Sequence, residues 1–439
     1  MKSVYFHIDE VARDAVVASA LKKHLAKHGI SLVYGNRRQI KLFRKLYIPF
    51  PFDLAVFPNV DLVESTFRDV EKIDFPILVL PTETISGRHD TSNRLATHLL
   101  GSNRLDYSGR AILDKITRFC LWGSSHLETL NNYAPLLAQR AIIVGHPRYD
   151  LLCLKKRDSN RVKYRQKKKV GLITRFDTIN IFDDRSNLVT AYSSRKLPGL
   201  PLQYFQTKEL DIEDDWHNII LDLRIFFNII DSIDINAYEI TLRIHPRENR
   251  VNWERLVKSQ SLPVTIAPWD QPFAHWASDQ DILIAPPSTS FYDLAMIGKH
   301  AISIQNIEPK RASHASPVLD DFDPIFNYFQ RPSSLTELYK DMSDSQPSAQ
   351  SPELWKVVNR ETDFPECSSS LAKVASVISG ALESQPPKKK VWASSLYFFG
   401  REMDALWFKL QKIARNKDEQ SANFPLGWSR RKFIDALSI

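Results

Sequence analysis

Short apolar runs rich in β-branched and aromatic residues alternate with longer amphipathic stretches through the first 150 residues. The runs are VYFHI (4–8), ISLVY (30–34), DLAVF (53–57), FPILVL (75–80), ITRFCLW (116–122) and AIIVG (141–145). They predict the strands of a parallel sheet, and the stretches between them predict crossover helices. Helices are expected over 9–28, closed by Gly29, and over 36–46, 62–71, 91–100 and 124–139. Residues 1–150 thus read as one Rossmann-like domain.

The pattern restarts at VGLIT (170–174), after a basic linker at 151–169. A polar region (182–214) precedes a helix (215–231), the strand YEITLRI (238–244), a helix (250–259) and the strand VTIA (264–267). A short helix (271–279), DILIA (281–285), a helix (289–298) and HAISI (300–304) complete a second Rossmann-like domain, 170–345. The expected fold class is α/β, with two such domains, a cleft between them and a helical tail over 346–439. In open α/β sheets ligands collect at the carboxyl ends of the strands, so function is to be sought in the turns that follow them.

Within the tail, after ESQPPKKK (383–390), Trp392, Leu396, Phe399, Met403, Leu406, Trp407, Leu410 and Ile413 recur at three- and four-residue spacing. An aromatic face flanked by Lys and Arg either lies in a membrane interface or packs on the protein.

Composition narrows the class. At 439 residues the chain is too long for a single ordinary core, and 43% hydrophobic with 25% charged residues is globular. No apolar run reaches the roughly 18–20 residues of a membrane span, and the start, MKSVYFHIDEVARD, meets charge before a signal-peptide core forms. A cytoplasmic location is expected. Cys120, Cys153 and Cys367 lie far apart with no CxxC pair, which suits a reducing compartment and packing roles. The net charge of +8 is uneven: residues 155–169 carry nine Lys or Arg against one Asp, and 388–439 carry eleven against five acids. Basic residues gathered in a linker and a tail argue against nucleic acid and for an anionic membrane surface or lipid head group, or else for a solvated linker and a solubilising tail.

With only 13 glycines and neither GxGxxG nor GxxxxGK[ST], a dinucleotide-binding or P-loop enzyme is not expected. The chemistry-bearing residues follow strands instead. RIHPRE (243–248) presents His245, stiffened by Pro246 and flanked by Arg243 and Arg247, groups suited to a phosphate or ribose. In APPSTSFYD (285–293), Ser288, Thr289 and Ser290 precede a helix, and Asp293 stands three residues after Ser290 as in a capping box. The first-turn amides there would hold an anion. TRFDTIN (174–180) offers Arg175 to neutralise a leaving phosphate, Thr174 and Asn180 to bind donor oxygens, and Asp177 as a candidate catalytic acid or a simple turn residue. VLPTET (79–84) ends a first-domain strand on Glu83, a candidate base or nucleophile, with a surface or helix-capping role as the alternative. The pairs Asp183-Asp184 and Asp214-Asp215 lie in polar stretches, and no paired acids follow a strand, so no catalytic metal is expected.

VGHPRYDLL (144–152), TRFDTIN, RIHPRE and PPSTSFYDLAMIGKHAISI (286–304), in this order, resemble the bacterial surface-carbohydrate biosynthesis proteins. These are GT-B-like glycosyltransferases related to the Kdo transferases of capsule and lipopolysaccharide assembly and, more distantly, to CDP-glycerol glycerophosphotransferases. The resemblance spans about residues 1 to 345. It implies a metal-independent transferase with the nucleotide-sugar as co-substrate and no further cofactor. It also implies that His245, Pro246, Ser288, Thr289 and Ser290 bind a cytidine nucleotide, and that the acceptor is a glycan or lipid-linked glycan. His146-Pro147 falls at the position of a structural turn. Glu83 is followed by Thr84 and Ile85 where relatives often have glycine after the acid, which loosens its assignment. A CDP-polyol or nucleoside-diphosphate-sugar transferase, a nucleotide-sugar 2-epimerase and a non-catalytic lipid-linked glycan binder are the alternatives.

Overall fold

A computed structural model describes residues 2–8, 11–35, 40, 50, 52–60, 63, 67, 73–81, 114–133, 135–156, 166–176, 180, 209–246, 248–299, 301–307, 324–344, 351–364 and 369–383. In chain order its elements are β1 (Lys2–His7), α1 (Val11–Ala26), β2 (Ile30–Gly35), β3 (Leu54–Phe57), β4 (Ile77–Val79), β5 (Ile116–Leu121), α2 (Ser124–Tyr133), α3 (Pro135–Ala138), β6 (Ala141–Ile143) and α4 (Pro147–Lys156). They continue with β7 (Lys168–Ile173), α5 (Glu209–Ser232), β8 (Tyr238–Arg243), α6 (Arg250–Ser259), β9 (Val264–Ile266), α7 (Phe273–Ser278), β10 (Ile282–Ala285), α8 (Ser290–Ile297), β11 (Ala301–Ser303), α9 (Leu335–Asp344), α10 (Pro352–Thr362) and α11 (Ser370–Glu383). The chain is α/β and forms two units, each built on a parallel sheet.

In the first unit, Met1–Leu151 with the stretch from Asn359, the sheet among the described residues runs β2-β1-β3-β4-β5-β6, all parallel. Its strands are apolar on both sides because both sides are covered. Odd-numbered residues (Tyr5, Ala55, Phe57, Ile77, Val79, Phe119, Leu121) face one core, where Phe50, Phe52, Phe67 and Phe75 gather. Even-numbered ones (Val4, Phe6, Leu54, Val56, Leu78, Cys120) face a second core. Burial raises the Cys120 thiol to about 12, so it is an inert packing group.

That second face is closed by α1 through Val17, Ala18, Leu21 and Leu25, and by α11 through Val374, Ala375, Ile378, Ala381 and Leu382. The 374/375/378/381/382 spacing is a helical stripe, and each large aliphatic buried there contributes roughly 1.5–3 kcal/mol. Asp150 of α4 caps α11 from outside, accepting from the amides of Ser370 (3.0 Å) and Leu371 (2.7 Å) and from the Ser369 hydroxyl (3.0 Å). Residues 369–383, expected as part of a tail beginning at 346, are therefore part of the first unit's core.

The expected linker 151–169 is also shorter than drawn. α4 carries the chain to Lys156, and β7 starts at Lys168, because Lys168 and Lys169 pair with Tyr238 and Glu239 of β8. The helices expected over 36–46, 62–71 and 91–100, the polar segment 182–208 and the basic aromatic stretch after 383 lie outside the described residues, apart from isolated positions.

In the second unit the sheet among the described residues runs β11-β10-β7-β8-β9, all parallel. Val170, Leu172, Ile240, Leu242, Ile282, Ile284 and Ile302 pack on one face against Ile225, Phe226, Ile229 and Ile230 of α5, Trp253 of α6, and Leu338 and Met342 of α9. On the other face α7 approaches so closely that a Cβ on Gly171 would stand 2.8 Å from Trp276, Gln280 and Leu283, so this central strand position needs glycine. Gly298 ends α8 at φ 70°, its amide and that of Lys299 closing on Ala295 and Leu294. The strands of this unit match the expected ones to within one or two residues.

Candidate functional site

The order of the second sheet reverses between β7 and β10: the chain steps from β7 to β8 and β9 on one side, then to β10 and β11 on the other. Turns leaving β7 and β10 at the carboxyl edge therefore diverge, which makes this the place where an open α/β sheet takes a ligand. The turns after β10 (286–289), β7 (174–176) and β8 (244–249) belong to three neighbouring strands. Arg175, exposed at the tip of the β7 turn, donates Nη1 to the Pro287 carbonyl and ties the two sides of the reversal together.

Beneath these tips lies a buried carboxyl. Glu248, 1% exposed, accepts at Oε1 from the Thr174 hydroxyl (2.6 Å) and the Phe176 amide (2.9 Å). Its Oε2 accepts from Trp253 Nε1 (2.6 Å) and Asn180 Nδ2 (3.5 Å). Burial raises its pKa above the ordinary carboxyl value, and the hydrogen bonds from Thr174, Phe176, Trp253 and Asn180 oppose that rise. Thr174 Oγ1 also accepts the backbone N–H of His245 (2.9 Å), so the β7 and β8 turns share one hydroxyl.

Asn180 is fully buried. It takes Asn252 Nδ2 at its Oδ1 (2.9 Å) and donates Nδ2 to the Asn249 carbonyl (3.2 Å). Asn249 caps α6 by accepting the Val251 amide (3.0 Å). Thr174 and Asn180, expected to bind donor oxygens, thus have their side chains engaged in the protein interior, where they hold the shape of the turn.

His245 is half-buried and Pro246 exposed. Arg243, half-buried on β8, donates to the Pro268 carbonyl (3.0 Å), while Arg250 donates to Ala267 (2.8 Å), so two guanidinium groups brace the turn after β9. Burial and then the neighbouring Arg250 lower the Arg243 pKa to about 10, with Asp270 acting the other way. Arg243 remains a cation at neutral pH.

At α8, Ser290, expected as the N-cap of a capping box, is instead the first helical residue. The N-cap, Thr289, makes no side-chain cap bond because its backbone (φ −61°, ψ −12°) already follows the helical path. Ser288 and Ser290 instead share a hydrogen bond between their hydroxyls (2.5 Å), and the Ser290 amide points to Ser288 Oγ (3.4 Å). The amides of Phe291 and Tyr292 close on the Ser288 and Thr289 carbonyls (3.2 Å each). Local bonds thus engage the amides of Ser290, Phe291 and Tyr292, and beside them stand the hydroxyls of half-buried Ser288 and Ser290, exposed Thr289, and the exposed Arg175 side chain.

Glu83, Asp177 and Arg247 lie outside the described residues. In the first unit, Pro81 accepts from Trp122 Nε1 (2.7 Å), and the ring of buried His146 lies tilted against Trp122, centroids 4.5 Å apart, while its Nδ1 accepts the Arg148 amide (3.2 Å) at the start of α4. Among the described residues no group of three or more His, Cys, Asp or Glu is placed to hold a metal ion, and no helix is long and apolar enough to cross a membrane.

Glu248 is the principal residue that sequence reasoning passed over. It sits inside the RIHPRE motif, but its partners are 74, 72 and 68 positions upstream and five downstream, at no spacing that a periodic pattern reveals.

No protein-family model matches the chain, and no curated protein matches it. Solved structures resemble it at a distance. The wall teichoic acid polymerase TagF superposes with a TM-score of 0.49 at 11% identity, covering 88% of this chain and 90% of that one. MnaA of S. aureus, solved with UDP, gives 0.48 at 9% identity, covering 88% and 99%. The UDP-GlcNAc 2-epimerase of Methanocaldococcus jannaschii, in complex with UDP-GlcNAc and UDP, gives 0.45 at 10% identity, covering 87% and 100%. At such low identity, and with TM-scores below 0.5, the chemistry of the site has to come from its own residues.

Proposed function

We propose that the protein is a GT-B-type, metal-independent glycosyltransferase. It would move a sugar from a nucleotide donor, CMP-linked and Kdo-like as first choice, to a glycan or lipid-linked glycan acceptor in capsule or lipopolysaccharide assembly. What supports this is that Arg175, His245 and Ser288–Ser290 stand on the turns that leave three adjacent strands, β7, β8 and β10, at the carboxyl edge of the second sheet. Cationic and hydroxyl donors on preorganised turns are what a departing phosphate needs. In this account the second domain binds the nucleotide, with Arg243, Pro246 and Arg247 framing His245. The bond from the sugar's anomeric carbon to the phosphate oxygen breaks as the acceptor oxygen attacks. The acceptor's proton goes to a carboxylate, Glu83 of the first domain, with Asp177 the other candidate. The basic stretches 155–169 and 388–439 are assigned peripheral contact with an anionic membrane, without a nucleic-acid role.

Two measurements test the reading. Thermal stabilisation across CMP-, CDP- and UDP-linked ligands should favour cytidine; stabilisation by uridine ligands with none by cytidine would move the donor class to nucleoside-diphosphate sugars. In cells that depend on the protein for a surface glycan, His245→Ala should abolish synthesis while the protein still folds. Undiminished synthesis would instead indicate a non-catalytic glycan binder.

A further inference from the structure

We propose that Glu248 is the positioning residue of the nucleotide site, acting as an acceptor-only clamp that joins the turn after β7 to the turn after β8 and, through the Thr174 hydroxyl, sets the backbone of His245. The inference rests on the site proposed above but stands on separate geometry. Each carboxyl oxygen faces one N–H that cannot reverse its polarity: the Phe176 amide at Oε1 (2.9 Å) and the Trp253 indole at Oε2 (2.6 Å). Thr174 completes the link, giving its proton to Oε1 (2.6 Å) while receiving the His245 amide (2.9 Å). Asn180 adds a second tie, reaching Oε2 with its Nδ2 (3.5 Å) and the Asn249 carbonyl with the same group (3.2 Å). Arg175, Phe176, His245 and the start of α6 are therefore held from one point beneath them.

This arrangement sets a specific demand. Glutamine has nearly the same shape, but its NH₂ group would meet the Phe176 N–H in one orientation and the Trp253 N–H in the other, leaving two donors opposed in a buried place. A residue that merely filled space would tolerate Glu248→Gln; an acceptor-only clamp does not. Thr174 supplies a gentler probe, because Thr174→Ser keeps the hydroxyl and Thr174→Val removes it at almost constant volume.

The experiment measures CMP and CDP affinity by calorimetry, and backbone hydrogen exchange over 174–180 and 243–249, for the full-length wild type and these variants. Glu248→Gln and Thr174→Val should each weaken nucleotide binding by about tenfold or more, the worth of a buried hydrogen bond, and speed exchange in both turns, with Thr174→Ser close to wild type. Wild-type affinity and unchanged exchange in Thr174→Val would overturn the clamp, as would Glu248→Gln behaving like wild type. Should Glu248→Gln fail to fold, the Thr174 pair decides. If the wild type binds neither nucleotide, the cytidine reading of the site fails, and the exchange measurements alone uphold or overturn the clamp.

Discussion

Glu248 shows how one side chain can carry opposed electrostatic demands. Burial favours its neutral form, and the four donors around it favour the charged one, with the net shift upward. The sign for stability follows. Below the ordinary glutamate value of 4.5 the carboxyl is protonated in both folded and unfolded chains. As pH rises from there to the raised folded value, the unfolded chain loses its proton first, so the folded state loses stability across that window and levels off above it. Denaturant unfolding at a series of pH values should show this component in the wild type, and Glu248→Ala should lack it; identical pH profiles for the two would contradict the assignment. Gly171 makes a different residue-scale prediction. A methyl group there meets three side chains at 2.8 Å, so Gly171→Ala should destabilise the second domain by about 1–3 kcal/mol, read as a lower denaturation midpoint.

Among the elements, the strands were the easiest to read from the sequence, since a parallel strand buried on both faces writes itself as an unbroken apolar run. ILIA (282–285) and LAVF (54–57) are such cases, every residue buried. The turns were readable as locations but not as geometry. RIHPRE and TRFDTIN were recognisable as strand ends, yet no local rule shows that Thr174 and Asn180 turn inward to a carboxyl in the other motif. α11 escaped for a similar reason: its apolar stripe packs on α1, more than 340 positions away, and its cap comes from Asp150. Asp150→Ala should cost about 1–2 kcal/mol by leaving the α11 amides without their acceptor, and Ile378→Ala about 2–5 kcal/mol by opening a cavity against α1. Both losses should be visible in thermal unfolding. A wild-type melting temperature for either would mean that α11 does not belong to the first unit's core.

At the scale of the whole molecule, two parallel sheets each offer a carboxyl edge and a reversal of strand order, at β1/β3 in the first and β7/β10 in the second, and Arg175, His245 and Ser288–Ser290 all stand on turns of the second. Charge is distributed differently, with the excess of Lys and Arg placed at 155–169 and 388–439. If those regions serve an anionic bilayer, deleting 388–439 should reduce co-sedimentation with phosphatidylglycerol vesicles and leave nucleotide binding intact; unchanged sedimentation would reject the membrane role. The central claim is that the edge built from Arg175, His245 and Ser288–Ser290 holds a nucleotide donor. Calorimetric titration of the full-length protein and of His245→Ala with CMP and CMP-Kdo tests it most directly. The account predicts saturable binding to the wild type and affinity at least about tenfold weaker in the folded variant; equal affinity in both, or no nucleotide binding by the wild type, would contradict it.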